Sequence, residues 1–311
     1  MTKIYKHSTR RMFSPKYFLT WPSFLIIWII AQLPYDRLIS LGKLIGLFVY
    51  KCFPERKHII RTNLTLCFPD KTSNEIEFLV KENLKFLGIG ICETALAWFG
   101  SSRIIDILSK KLTIENETTL KHLLNDDKPL LIITPHASSQ ELVSKVLIQK
   151  YEFSPVFRHM NNPIVNYFMQ KARLKIYKNP ILKSNTRQII RALNSKTAVG
   201  ILPDQDFGRR RSVFVPFFGV TAATSTSLSK YKKLTNANII ALSYLRDKND
   251  YTKFTITVSE PLAITGSDLE HDATLFNQEF EKIISKDIPM YFWIARRFKT
   301  RPLGLPSVYK K

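Results

Sequence analysis

The chain has 311 residues, is 45% hydrophobic, and carries 47 lysines and arginines against 25 acids, a formal net charge of +22. That apolar content excludes a disordered chain and suits one catalytic body or two closely packed lobes, while the charge calls for a polyanion: nucleic acid, anionic lipid or an acidic carrier protein. Cys52, Cys67 and Cys92 are odd in number and scattered, which supports neither a disulfide framework nor a zinc site and fits a reducing compartment.

Residues 1–16 form a basic amino terminus, with Lys3, Lys6, Arg10, Arg11 and Lys16 and no acid. The apolar stretch 17–33 follows, interrupted by Trp21, Pro22 and Trp28. It is at the short end for a transmembrane helix and has the aromatics of an interface, so a spanning helix and an embedded anchor both fit. No small-residue cleavage pattern follows it, which argues against a removable signal peptide. Residues 38–53, with Lys43 and Lys51, read as an amphipathic helix on lipid or on the body. Together 17–53 make a membrane-anchoring segment, and 54–311 a catalytic domain.

From Lys71 to about Asn125 the pattern is helical, with Ser73 placed to cap it. Beyond it, candidate strands at 130–134, 153–157, 198–202, 238–245 and 251–258 alternate with helix-length segments at 141–150, 163–175, 186–194 and 225–235. The alternation predicts an α/β fold.

Residues 135–141, Pro-His-Ala-Ser-Ser-Gln-Glu, leave the first of these strands. A histidine and a carboxylate five apart lie about 140° apart around a straight helix, so they cooperate only if the histidine precedes the helix that carries the acid. Ser138 or Ser139 can cap that helix, placing Glu141 in a first turn that favours an ionised carboxylate. Such a carboxylate can hold an imidazole in one tautomer and support its charge, which makes His136 and Glu141 a candidate general-base pair. His122 and Asp127 repeat the spacing, but His122 lies in a helix running into the polar turn at 125–129, and the pair reads as structural.

A basic belt follows (Arg158, Lys171, Arg173, Lys175, Lys178, Lys183, Arg187, Arg191), with no acid between Glu152 and Asp204. It suits an anion, with Arg158 and Arg173 the candidates for phosphate, or else a solvated or lipid-facing surface. Residues 201–208, Ile-Leu-Pro-Asp-Gln-Asp-Phe-Gly, put Asp204 and Asp206 at a strand exit, where they can position arginines at the substrate site. A metal is less favoured, for want of a third ligand. The aromatic segment 213–219 fits an acyl-chain pocket or simple core. There is no nucleophile elbow, phosphate-cradling glycine loop or His-Glu-x-x-His motif.

Taken in order, these residues resemble the lipid A biosynthesis lauroyl/myristoyl acyltransferases, within the wider glycerolipid acyltransferase-like superfamily. The resemblance covers nearly the whole chain. It runs through the basic anchored amino terminus, His136 and Glu141, Phe157-Arg158 with Asn162-Pro163 and Arg173, and Arg187 with Ile190 and Leu193. It continues through 203–208, the 213–219 segment with Thr224 and Thr226, and 291–302 (Tyr-Phe-Trp-Ile-Ala-Arg-Arg-Phe-Lys-Thr-Arg-Pro). Two departures stand out: Ala295 where the family usually has histidine, and no aromatic directly after His136.

The resemblance implies a mixed sheet flanked by helices behind the anchor. It also implies acyl transfer from acyl carrier protein to a hydroxyl on an acyl chain of a phosphorylated glucosamine disaccharide, the lipid A precursor. Under it Arg158 and Arg173 hold phosphate or support the dyad. No cofactor or metal is expected; acyl carrier protein, the precursor and membrane lipids are the partners. The expected location is the cytoplasmic face of the inner membrane, on an embedded anchor, because a basic terminus before a true span would send the body outward. Related transfer to another glycolipid or a glycerophosphate is the near alternative. A nucleic-acid-binding protein is the rival class, opposed by the anchor and the lack of a binding motif. A catalytically dead scaffold is the third.

Overall fold

The computed structural model describes residues 9–309, so residues 1–8 of the basic amino terminus lie outside the described residues. A first layer is helical: α1 (Thr9–Met12), α2 (Thr20–Ile30), α3 (Tyr35–Cys52), α4 (Pro54–Cys67), α5 (Ser73–Phe99) and α6 (Ser102–Lys110). The eleven residues of α2 give about 16 Å of helix, half of a hydrocarbon core of about 30 Å. Among the described residues, no helix is long and apolar enough to cross a membrane. The expected transmembrane helix is corrected on that point.

Helix α5 starts on a capping box in which Thr72 accepts from the Glu75 N–H and Glu75 accepts from that of Thr72. The cap is therefore one residue before the expected Ser73. Along its length α5 receives α3 through glycines: a Cβ added to Gly88 would lie 2.1 Å from the Gly42 carbonyl oxygen, and one on Gly46 2.3 Å from that of Leu84. The two backbones touch, so α3 is packed onto the body.

The second layer opens with β1 (Leu112–Glu115), α7 (Glu117–Asn125), β2 (Leu130–Ile133), α8 (Gln140–Leu147), β3 (Ser154–Phe157) and α9 (Pro163–Ile176). It continues through β4 (Ile181–Leu182), α10 (Thr186–Asn194), β5 (Val199–Ile201), the ribbon β6 (Ser212–Phe217) and β7 (Val220–Ser225), and α11 (Ser227–Thr235). It closes with β8 (Asn238–Arg246), β9 (Phe254–Val258) and α12 (Leu269–Lys286). Among the described residues seven strands form one mixed sheet in the order β1-β9-β8-β2-β5-β3-β4. The five from β8 to β4 are parallel, and β9 joins β8 antiparallel. The α/β expectation, a sheet flanked by helices, is met.

Strand β2 reads Leu-Leu-Ile-Ile and is buried throughout, as a central parallel strand covered on both faces must be. The aromatic segment 213–219 becomes the β6–β7 ribbon, whose Phe217 is fully buried against Tyr291 and Phe298. Of the two readings left open for that segment, core is the one observed. The acid expected in a turn at Asp127 pairs with Lys196 on the surface.

Candidate active site

Parallel strands carry the residues after them to one edge of the sheet, and here the register aligns two of those exits. Ile133 of β2 pairs with Ile201 of β5, and each strand runs on through x-Pro to the third residue: His136 on one, Asp204 on the other. His136 Nδ1 lies 2.5 Å from Asp204 Oδ1, and the His136 backbone N–H donates to Oδ2 at 2.9 Å. Asp204 is buried, whereas the imidazole is partly open, with 29% of its side chain exposed. Burial pushes the Asp204 carboxyl upward, but the charge and hydrogen bonds of His136 outweigh it and hold the group below its usual range.

The segment that follows is pinned from below. The Phe292 N–H donates to the His136 carbonyl at 3.0 Å, the Ser138 N–H to that of Met290 at 2.9 Å, and the Tyr244 hydroxyl to that of Ser138 at 2.7 Å. Ser139 precedes α8 with φ +70° and gives no side-chain cap; its hydroxyl accepts from Arg246 at 2.9 Å instead. The same Arg246 Nη2 donates to both oxygens of the fully buried Glu93, which also accepts from the Tyr35 hydroxyl. A left-handed residue at this turn is thus clamped by a buried ion pair reaching to α3.

Glu141 stands in the first turn of α8, as expected, but it is not the partner of His136. Its oxygens accept a bidentate pair from Arg173, at 2.9 and 2.7 Å, and a bond from Trp98 Nε1 at 3.2 Å. Burial raises the Glu141 carboxyl, and Arg173 with Trp98 more than reverses that, leaving it below its usual range. Three expectations are decided as a result. Asp204, not Glu141, bonds the imidazole. Arg173, expected to hold phosphate or to support the dyad, does the second for its acid, its fork filled by Glu141. Asp206 does not line the cavity, and accepts from the Gly208 and Thr300 N–H groups and the Thr300 hydroxyl, tying down the carboxyl-terminal segment. Neither aspartate bonds an arginine among the described residues.

His136 and Glu141 line a cavity of about 1180 Å³. One wall is apolar, made by Val49 and Phe53 of the α3 end, Leu84, Leu87 and Ile91 of α5, and Met169 of α9. The other is cationic. Arg158 is exposed on it and joins Lys183, also of the basic belt, together with Arg56, Arg210, Arg211 and Lys230 from outside the belt. Of the three arginines at 209–211, Arg209 donates to the Arg301 carbonyl, and Arg210 and Arg211 face the cavity. A partly open imidazole held by a buried acid, beside a large half-apolar cavity, can take a proton from a bound hydroxyl while an acyl chain lies in the apolar half.

The family model described as bacterial lipid A biosynthesis acyltransferase matches residues 5–300. The chain is 33% identical over 303 residues to the lipid A biosynthesis palmitoleoyltransferase of Escherichia coli K12, covering 97% of each. It is 36% identical over 304 residues to a lipid A biosynthesis acyltransferase of Haemophilus influenzae, covering 95% of each. It is also similar to the lipid A biosynthesis lauroyltransferase of E. coli K12, at 30% over 310 residues, 99% of this chain and all of the other.

Proposed function

The chain belongs to the bacterial lipid A biosynthesis acyltransferases, and from that premise we propose a donor, an acceptor and a set of residue roles. The donor is the thioester of acyl carrier protein, and the acceptor is a hydroxyl on a hydroxyacyl chain of the phosphorylated glucosamine-disaccharide precursor. The observation that carries the reading is the His136–Asp204 pair at the edge of a cavity half lined with apolar side chains.

Asp204 accepts from Nδ1, which fixes the tautomer that leaves Nε2 free. Nε2 takes the proton of the acceptor hydroxyl as its oxygen bonds to the thioester carbonyl carbon. Collapse of the tetrahedral adduct breaks the C–S bond, and the imidazolium returns the proton to the departing thiolate. Base help of this kind contributes about 10² to 10⁴-fold. No covalent acyl-enzyme is needed. Glu141 acts through Arg173 and Trp98, as a rigid support for the cavity wall rather than as the group that orients the base.

The body sits on the cytoplasmic leaflet of the inner membrane. Leu25, Ile26, Trp28 and Ile29 on α2, with Leu44 and Phe48 on α3, are exposed apolar side chains next to helices that line the cavity, an arrangement that suits an embedded anchor. Residues 17–53 serve as that anchor and 54–311 as the catalytic domain.

The test is mass spectrometry of product after incubating the detergent-solubilised protein with acyl carrier protein thioesters and the tetra-acylated precursor, beside His136→Ala. A gain of one acyl chain, reduced at least a hundredfold in the variant, is expected. No gain with any thioester removes this donor and acceptor, and equal gain from the variant removes His136 as base.

A further inference from the structure

His136 after β2, Arg158 after β3 and Lys183 after β4 line the cavity from adjacent parallel strands, and Asp204 after β5, between them in the sheet, is buried against His136. Phe157 pairs with Leu182 in register, so Arg158 and Lys183 are neighbouring positions on the sheet edge. The Lys183 backbone N–H donates to the Phe157 carbonyl at 2.7 Å, which fixes the start of its side chain. Its ammonium lies over the Phe207 ring, 3.5 Å from the centroid. Arg158 and Arg211 are its charged neighbours, and Asp204, the nearest acid, is already committed to His136.

We propose that Lys183, with Arg158 and Arg211, forms a binding site for a phosphate ester on the cavity wall, about 10–15 Å along the sheet edge from His136 at the usual strand spacing. The inference rests on the acyl-transfer reading only for the source of that phosphate. Three cations converge on a cavity wall whose single carboxylate, Glu141, is neutralised by Arg173. Among the described residues none of the three makes a salt bridge or donates a side-chain hydrogen bond, although other exposed cations, such as Lys178 and Lys196, find acids. Crowded cations without a counter-ion repel each other, and a phosphate relieves this by accepting from two guanidinium groups and an ammonium. Desolvation first, and then the Arg158 and Arg211 charges against an opposing pull from Asp204, draw the Lys183 pKa down to about 8. The Phe207 face holds the ammonium in place without satisfying its donors.

Two sources carry this chemistry: a phosphomonoester on the acceptor sugar and the phosphodiester that links the donor's pantetheine arm to its carrier. Steady-state kinetics of the full chain in detergent separates them, comparing wild type with Lys183→Met and Lys183→Arg on phosphorylated and dephosphorylated acceptor. Lys183→Met is expected to raise the acceptor KM at least tenfold with kcat nearly unchanged, to lose that effect on the dephosphorylated acceptor, and to be largely rescued by Lys183→Arg. A rise in the KM of acyl carrier protein thioester, absent with an acyl-pantetheine lacking phosphate, also supports the site and assigns it to the donor. Unchanged KM for both substrates, or equal losses with and without phosphate, overturns it. Calorimetric binding of the two acceptors and of acyl carrier protein needs no turnover. If wild type transfers nothing, a tenfold weaker phosphorylated acceptor or carrier in Lys183→Met still supports the site, and equal affinities sink it.

Discussion

In the proposed mechanism the side chain that decides the chemistry is Asp204. A buried carboxylate on Nδ1 presents one tautomer of the imidazole and supports its charge when protonated, and an amide in its place accepts one bond but cannot balance that charge. Asp204→Asn is therefore expected to lower kcat by roughly 10² to 10⁴-fold with KM little changed, while Glu141→Gln spares more of kcat. Equal kcat losses would return Glu141 to the position of orienting acid. Glu141→Gln instead strands Arg173 in a mostly buried place and should cost about 3–5 kcal/mol of stability, read by denaturant unfolding. Because the folded Glu141 pKa is depressed, that difference is full above the unfolded carboxylate value of about 4.3 and shrinks as pH falls through the lower folded value. Lys183 titrates the other way in the working range. It faces Arg158, Arg211 and Asp204 and is charged below about pH 8. In wild type, kcat/KM for the substrate whose phosphate the site holds should then fall as pH rises past 8, and stay flat in Lys183→Arg.

Elements explain which parts of the site were legible. The strand at 130–133 and the acid in the first turn after it are local facts, carried by an apolar run and a five-residue spacing, and both are observed. The choice of acid was not local. It depends on β2 and β5 lying side by side in a register that aligns Thr-Pro-His with Leu-Pro-Asp, two strand exits of identical shape that only the sheet order brings together. Short elements escaped for a related reason: β4, two residues long, and β1, embedded in helical sequence, are strands because of their neighbours rather than their own periodicity. Glycine spacing, by contrast, left a mark in the sequence that hydropathy missed. Gly42 and Gly46 on α3 meet Gly88 on α5 at backbone contact, so Gly88→Ala must push the helices apart. Overpacking of this kind costs about 1–3 kcal/mol, and because Val49, Leu84 and Leu87 line the cavity, the same substitution should loosen the apolar wall and raise KM for long acyl donors.

At the scale of the molecule, the distribution of apolar and cationic surface separates the roles that composition alone ran together. A net charge of +22 fits nucleic acid and anionic lipid equally well, and charge cannot choose between them. The α2 helix does. It buries only Phe24, stacked 4.3 Å from Phe168 of α9, and turns Leu25, Ile26, Trp28 and Ile29 outward. An apolar face of that kind beside a basic terminus gains little from a polyphosphate and much from a lipid interface, where burying each such side chain contributes about 1.5–3 kcal/mol. Leu25→Asp with Ile29→Asp should leave the fold intact, since both positions are open, and should weaken co-sedimentation with anionic phospholipid vesicles at least tenfold. Salt should weaken wild-type binding only in part, removing the basic contribution and sparing the apolar one. Binding lost wholly to salt and untouched by the two aspartates would show that charge alone holds the protein to its surface, and the embedded anchor would have to be abandoned.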